Sequence, residues 1–370
     1  MKGKERIFTA LSRGQPDVVP VWELAFNEES VIKLARHLLP PRELPEPKHF
    51  LEMNDMEVLQ MVGAFAELGK QLGLDGFGAS TMAPVTRIDA EHFRDAFGVV
   101  QHTSKFGEPY PVAGPIRDSQ DLRNYKMRAP EDGDFLLIDI FRSQFPDQAV
   151  AYMLSGPFFL SWRLRGALQN LLIDYIDNPA LAHDLARMAV DFDLASLEII
   201  KKKGADFVVM ECDLAFINNT MMSLKHYDEF ISPYHSQIVK RGHELGLKMV
   251  KHSDGKVQTL VPRFIEEGFD GLHPVQPQCM DIGETKRKFG DKLCIMGNID
   301  CAYLLVFGTP EQVRESVKQT IEAVAPGGGY IISSSNTIHP GCRPENYAAL
   351  VKAARDFGKY PISIIKGSNK

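Results

Sequence analysis

Eight times along the chain, a short apolar run rich in β-branched residues is followed by a longer stretch of helical period. That alternation constrains the fold more than any other feature of the sequence. The runs are VVPVWEL from Val18, LDGFGAS from Leu74, AVAYMLSG from Ala149 and DFVVMEC from Asp206. LKMVKHS from Leu247, DGLHPV from Asp270, KLCIMGN from Lys292 and GYIISSS from Gly329 complete the set. Short strands joined by helices are the pattern of a parallel sheet with crossover connections. Eight such units predict one (β/α)8 TIM barrel over residues 1–370, an α/β fold. The amphipathic MKGKERIFTALSRG forms an N-terminal helical extension.

The intervening stretches carry helix signals. Val58, Val62, Phe65 and Leu68 mark one stripe at three- and four-residue steps. Thr309, Pro310 and Gln312 give an N-cap, a first-turn proline and a capping box. The stretch RDAFGVVQHTSKFGEPYPVAGPI interrupts the alternation and predicts a β-hairpin insertion between the second and third barrel strands. A doubly wound fold requires a glycine-rich loop after the first strand, and VWELAFNEES is not one.

Composition bounds the partners. A net charge of −6 over 370 residues favours neither nucleic acid nor an anionic membrane. No apolar run reaches the roughly 18 to 20 residues that span a bilayer. Five scattered cysteines without a Cys-x-x-Cys pair point to reduced thiols and a cytoplasmic protein.

Active sites of such barrels lie at the carboxyl ends of the strands. Those ends supply Trp22 and Glu23 with the nearby Phe26, then Glu211, Cys212 and Asp213, and then His252, Ser253 and Asp254. His273 and Gln276 follow, then Asn298 and Asp300, and finally Ser333 to Asn336, His339 and Cys342. His252 and Asp254 stand two apart, so both side chains point into the barrel mouth. Zinc accepts imidazole nitrogen, carboxylate oxygen and thiolate sulfur. Glu211 on the preceding strand and Cys342 after the last one are therefore the natural third and fourth ligands. Glu211, Asp213 and Asp254 are the candidate catalytic carboxyls. Trp22, Glu23, Phe26, His273, Gln276, Asn298, Asn336 and His339 are the candidate substrate contacts, although Asn298 and Asp300 also suit a purely structural loop role.

Three stretches carry a resemblance: ERIFTALSRGQPDVVPVW, SPYHSQIVKRGHELGLKMVKHSDG, and GNID with GGGYIISSSNTIHPGCRPENY. In them the chain resembles the uroporphyrinogen decarboxylase superfamily, and within it the corrinoid-dependent methyltransferases of anaerobes. The resemblance implies a barrel that works on a substrate bound in its mouth, with zinc as cofactor and a corrinoid carried on a separate partner protein. It sets His252 at the metal histidine and Cys342 at the distant cysteine of that branch. Asp254 stands where the pattern has cysteine, and Gln276 where it has an acidic residue.

Three activities compete. Decarboxylation of a porphyrinogen requires arginines after the first strand to hold its carboxylates, and that place carries Glu23, Glu28 and Glu29 instead. Methyl transfer from a methylcorrinoid protein to a thiol of the coenzyme M type requires a sulfur-seeking metal, which Asp254 disfavours. Transfer from a small methylated donor to corrinoid cobalt is the expected activity, with an aromatic methyl ether as donor (O-demethylation). A non-catalytic binding module is the remaining alternative, against which the ring of ionisable strand-end residues counts.

Overall fold

The computed structural model describes residues 1–48, 52–103 and 109–362. Residues 50–51, ahead of the Val58 stripe, and 104–108, within the expected insertion, lie outside them. The strands in chain order are β1 (Trp22–Glu23), β2 (Gly76–Ala79), β3 (Thr86–Arg87), β4 (His92–Arg94), β5 (Val100–His102) and β6 (Tyr110–Ala113). Then come β7 (Ala149–Leu154), β8 (Phe207–Met210), β9 (Lys248–His252), β10 (Gly271–His273), β11 (Cys294–Met296) and β12 (Tyr330–Ile331). One eight-stranded sheet runs in the order β1-β2-β7-β8-β9-β10-β11-β12, so each expected run contains one strand. The Trp22 N–H donates to the Ile332 carbonyl at 3.1 Å and the Ile332 N–H to the Pro20 carbonyl at 3.0 Å, which brings the last strand beside the first. This is the TIM-barrel arrangement. β8, β10, β11 and β12 are buried at every position, as expected of parallel strands covered on both faces.

The insertion is larger than the expected hairpin. β3 to β6 form a four-stranded antiparallel sheet that begins at Thr86. The Asp89 carboxylate accepts the Glu91 and His92 N–H groups at 2.8 Å each, which closes the first turn. Strands of two and three residues are too short to show alternation in the sequence. The helix Pro310–Val324 starts as its capping box requires, with the Thr309 N–H donating to Gln312 Oε1 at 2.8 Å. The N-terminal extension is the helix Gly3–Leu11. No helix of the described residues is long and apolar enough to cross a membrane.

The chain packs as two compact units, residues 1–78, 141–151 and 270–370 in the first and 79–140 and 152–269 in the second. In the first, Phe65, Phe77, Phe141 and Phe145 pack ring against ring, and Phe26 meets both Phe65 and Tyr347 edge-on. Asp75, just before β2, is the polar knot of this unit. Its carboxylate accepts from Arg6 at 3.0 Å, from Arg355 at 2.7 Å and from the Val21 N–H at 2.8 Å. One buried acid thus ties the first helix, the last helix (Pro344–Phe357) and the approach to β1. In the second unit Arg163, on the helix Gly156–Leu164, reaches Asp95 of the insertion at 2.8 Å.

Glu23 clamps β1 to the segment after β12. It is fully buried, and the Ser334 N–H donates to both carboxyl oxygens at 3.1 Å. Ser334 Oγ has one proton and two oxygen neighbours, Glu23 Oε2 at 2.7 Å and the Asn336 carbonyl at 2.6 Å. Burial pushes Glu23 up to about 8, partly opposed by the Ser334 hydrogen bonds.

Two outcomes follow for stability. Asp75→Ala leaves two arginines facing a buried void and is expected to cost about 3 kcal/mol in urea unfolding; a loss under roughly 1 kcal/mol, the worth of an exposed pair, would refute the knot. A carboxyl raised from 4.5 to about 8 stabilises the fold fully below pH 4.5, and that contribution disappears as pH rises through 8. Glu23→Gln is expected to flatten the decline of stability across this window, and an unchanged slope would mean that Glu23 is already ionised.

Candidate metal centre

β8 and β9 run parallel with Met210 opposite Lys251. The residues that leave β8, Glu211 to Asp213, therefore emerge beside His252, Ser253 and Asp254 at the end of β9. Backbone-directed hydrogen bonds lace the two exits together. Asp213 Oδ1 accepts the Asp254 N–H at 2.8 Å, and Ser253 Oγ accepts the Leu214 N–H at 2.9 Å. Gly255 ends the turn at φ +84, where a Cβ would stand 2.3 Å from the Ala215 carbonyl oxygen. Any side chain there would collide with the neighbouring loop as well as strain the backbone.

The result is a compact ligand set. One donor atom each from Asp213, His252 and Asp254 lies within 4.8 Å of the others, and His252 Nε2 is 3.8 Å from Asp213 Oδ1. Among the described residues this is the one group of three or more His, Cys, Asp or Glu side chains that close. His252 is buried, whereas the Asp213 side chain is 47% exposed, so the set has a dry side and an open side. Burial pushes His252 down to about 4, partly opposed by Asp213 and reinforced by Lys251. Its imidazole is neutral at neutral pH and offers a lone pair.

The donor set itself tests the fit to a metal ion. A neutral imidazole nitrogen and two carboxylate oxygens, open on one side, match a three-ligand site for a divalent cation such as zinc. With two oxygens and no sulfur, the set prefers oxygen-bearing partners over thiols.

The other predicted residues fall around this group or in the first unit. Glu211 follows β8 directly, its N–H on the Leu154 carbonyl at 2.8 Å, and its charge acts on Tyr152 and Arg163. Cys342 belongs to the first unit, with its thiol 3.7 Å from the Cys301 carbonyl and pushed up to about 12 by burial. Trp22 is buried edge-on against His273 at 5.3 Å, and His273 Nε2 meets Ser333 Oγ at 3.2 Å. Phe26 sits in the aromatic cluster and Glu23 in the clamp on Ser334 described above. Asn298 donates to the Val275 carbonyl at 2.6 Å. Gln276 Oε1 accepts from the Cys279 thiol at 3.3 Å, and Asn336 Oδ1 accepts the Thr337 N–H at 2.6 Å. His339 uses both ring nitrogens, Nε2 on the Cys301 carbonyl of the segment after β11 at 3.0 Å and Nδ1 accepting the Gly341 N–H of its own loop at 3.1 Å.

Lys251 escaped the sequence reading. It is 0% exposed, and its Nζ donates to the carbonyls of His252 at 2.6 Å, Cys212 at 2.9 Å and Met210 at 3.4 Å. The available signal was a lysine inside an otherwise apolar strand, MVKH, where a charge has no solvent to face.

Comparison with known proteins agrees with this barrel. The family model for uroporphyrinogen decarboxylase (URO-D) matches residues 94–357. A uroporphyrinogen decarboxylase of Thioalkalivibrio sulfidiphilus is 37% identical over 378 residues, 96% of this chain and 98% of that one. A methylated-thiol–coenzyme M methyltransferase of Methanosarcina mazei is 23% identical over 251 residues, 66% of this chain and 65% of that one. The solved structure of a methyltransferase from Methanosarcina mazei shares the fold, with a TM-score of 0.74 at 17% identity over 96% of this chain and 99% of that one. With most of its length matched by the family model and a relative this similar over nearly all of it, the chain belongs to the uroporphyrinogen decarboxylase family.

Proposed function

We propose that the protein is a methyltransferase that moves a methyl group from a small methylated donor to the cobalt of a corrinoid carried on a separate protein. An aromatic methyl ether is the proposed donor. The observation that carries the reading is the Asp213, His252 and Asp254 group, oxygen-rich and open on one side. These three residues would hold a divalent metal, zinc by the chemistry of the donors. When bound, such an ion supplies Lewis-acid stabilisation to an oxygen that gains negative charge.

In the transfer the methyl–oxygen bond breaks and its electron pair stays on oxygen. The pair on reduced cobalt forms the new methyl–cobalt bond, and the oxygen takes up a proton. His252 remains neutral throughout and keeps its lone pair directed at the group. Asp254 is held by the turn at Gly255. Asp213, half exposed, is the path by which a proton reaches the departing oxygen from solvent.

Charge argues against porphyrinogen decarboxylation, despite the 37% identical relative. From Trp22 the chain carries Glu23, Glu28 and Glu29 before its first arginine, Arg36. Arg36 is paired with Glu46 at 2.9 Å. A polycarboxylate substrate would meet Glu28 and Glu29 there, and an arginine that is already paired with an acid. Transfer to a thiol is the second reading, favoured by the methylated-thiol–coenzyme M methyltransferase among the relatives.

The test is to incubate the protein with reduced corrinoid protein and a methoxylated aromatic donor and to follow methylcobalt by absorbance. Methylcobalt formation that falls to background in His252→Ala is the expected result. Faster turnover with methylcobalt and a thiol acceptor would select the second reading, and carbon dioxide release from uroporphyrinogen would overturn both.

A further inference from the structure

Lys251 is a buried ionisable group for which the proposed chemistry finds no use, and backbone carbonyls surround it. It lies on β9 one residue before His252, and alternation along a strand directs the two side chains to opposite faces. Its ammonium has three protons and three backbone carbonyl neighbours, those of Met210 and Cys212 from the β8 exit and that of His252 from the end of β9. Cys212 adopts φ +146, a conformation that residues with a side chain rarely hold and that strains the backbone. The peptide it strains is the one that leads into Asp213.

We propose that Lys251 is a positioning residue. Its buried ammonium ties the exit of β8 to the end of β9 and so sets Asp213 at ligand distance from His252 and Asp254. The inference rests on the metal-centre reading above.

The geometry has one consequence at each end. On the β8 side, the hydrogen bond to the Cys212 carbonyl keeps the strained peptide from relaxing, which leaves Asp213 Oδ1 on the Asp254 N–H at 2.8 Å. On the β9 side, the 2.6 Å bond to the His252 carbonyl fixes the backbone from which the imidazole projects. A purely structural role explains this residue poorly. Burying an ammonium costs several kcal/mol even when it is paired, and an apolar residue of similar volume serves a core at least as well. A cation with three converging donors is suited to holding two loops at a set spacing.

The experiment compares wild type, Lys251→Met and Lys251→Arg for Zn2+ affinity by chelator competition. It also compares hydrogen exchange of the Asp254 amide in the metal-free proteins. Orientation of ligands by outer groups is worth about 10- to 100-fold in metal affinity. We expect folded Lys251→Met to bind Zn2+ at least about 10-fold more weakly, with loss of protection confined to Asp254 and its neighbours. Should Lys251→Met not fold, Lys251→Arg, whose planar head cannot converge on three carbonyls, is expected to show the same two changes. A folded variant with wild-type affinity and wild-type Asp254 protection would overturn the inference and leave the metal-centre reading intact. Failure of both variants to fold would overturn it too, since Lys251 would then be a determinant of the fold. Wild-type protein that binds no Zn2+ would overturn the metal-centre reading and this inference with it.

Discussion

The pairing of β8 with β9 in the register Met210 opposite Lys251 is the constraint on which the candidate site depends. Side chains alternate along a strand, so a slip of one residue would turn His252 out of the barrel and Lys251 into it. With the register kept, Asp213 and Asp254 leave neighbouring strands close enough for a single backbone hydrogen bond to join their loops. The ligand set needs no long-range search by flexible side chains. It follows from two strand ends and the turn at Gly255.

Three polar groups buried near strand ends meet the cost of burial in different ways. Burial pushes His252 down to about 4 and Glu23 up to about 8, in each case toward the neutral form. Lys251 is surrounded by carbonyl oxygens at 2.6 to 3.4 Å. Each solution is specific to the chemistry of its group. For His252 the consequence is a neutral imidazole at neutral pH, the form that serves as ligand to a cation. For Glu23 it is a hydrogen-bonded clamp between β1 and the segment after β12.

The barrel was legible because strands buried on both faces leave apolar runs that stand out against amphipathic helices, and all eight runs contain strands. His252 and Asp254 stood out as polar residues that stop such a run, whereas on the strand before the sequence pointed to Glu211 as the ligand and to Asp213 only as a catalytic carboxyl; the structure groups Asp213 with His252 and Asp254. The role of Lys251 was not legible, because a lysine in sequence reads as surface unless the three carbonyls around it are seen. The Glu23 clamp joins residues 311 apart and has no local signature. The first strands of the insertion, two and three residues long, are too short for alternation to stand out. Cys342 was read as a fourth ligand from its place after the last strand and from the resemblance, and in the structure its thiol faces the Cys301 carbonyl within the first unit.

The most direct test of the account is anomalous diffraction at the zinc edge from crystals grown with Zn2+. The account predicts one strong peak in contact with His252, Asp213 and Asp254. A peak held by Cys342 without Asp213, or no ordered peak at His252, would contradict it.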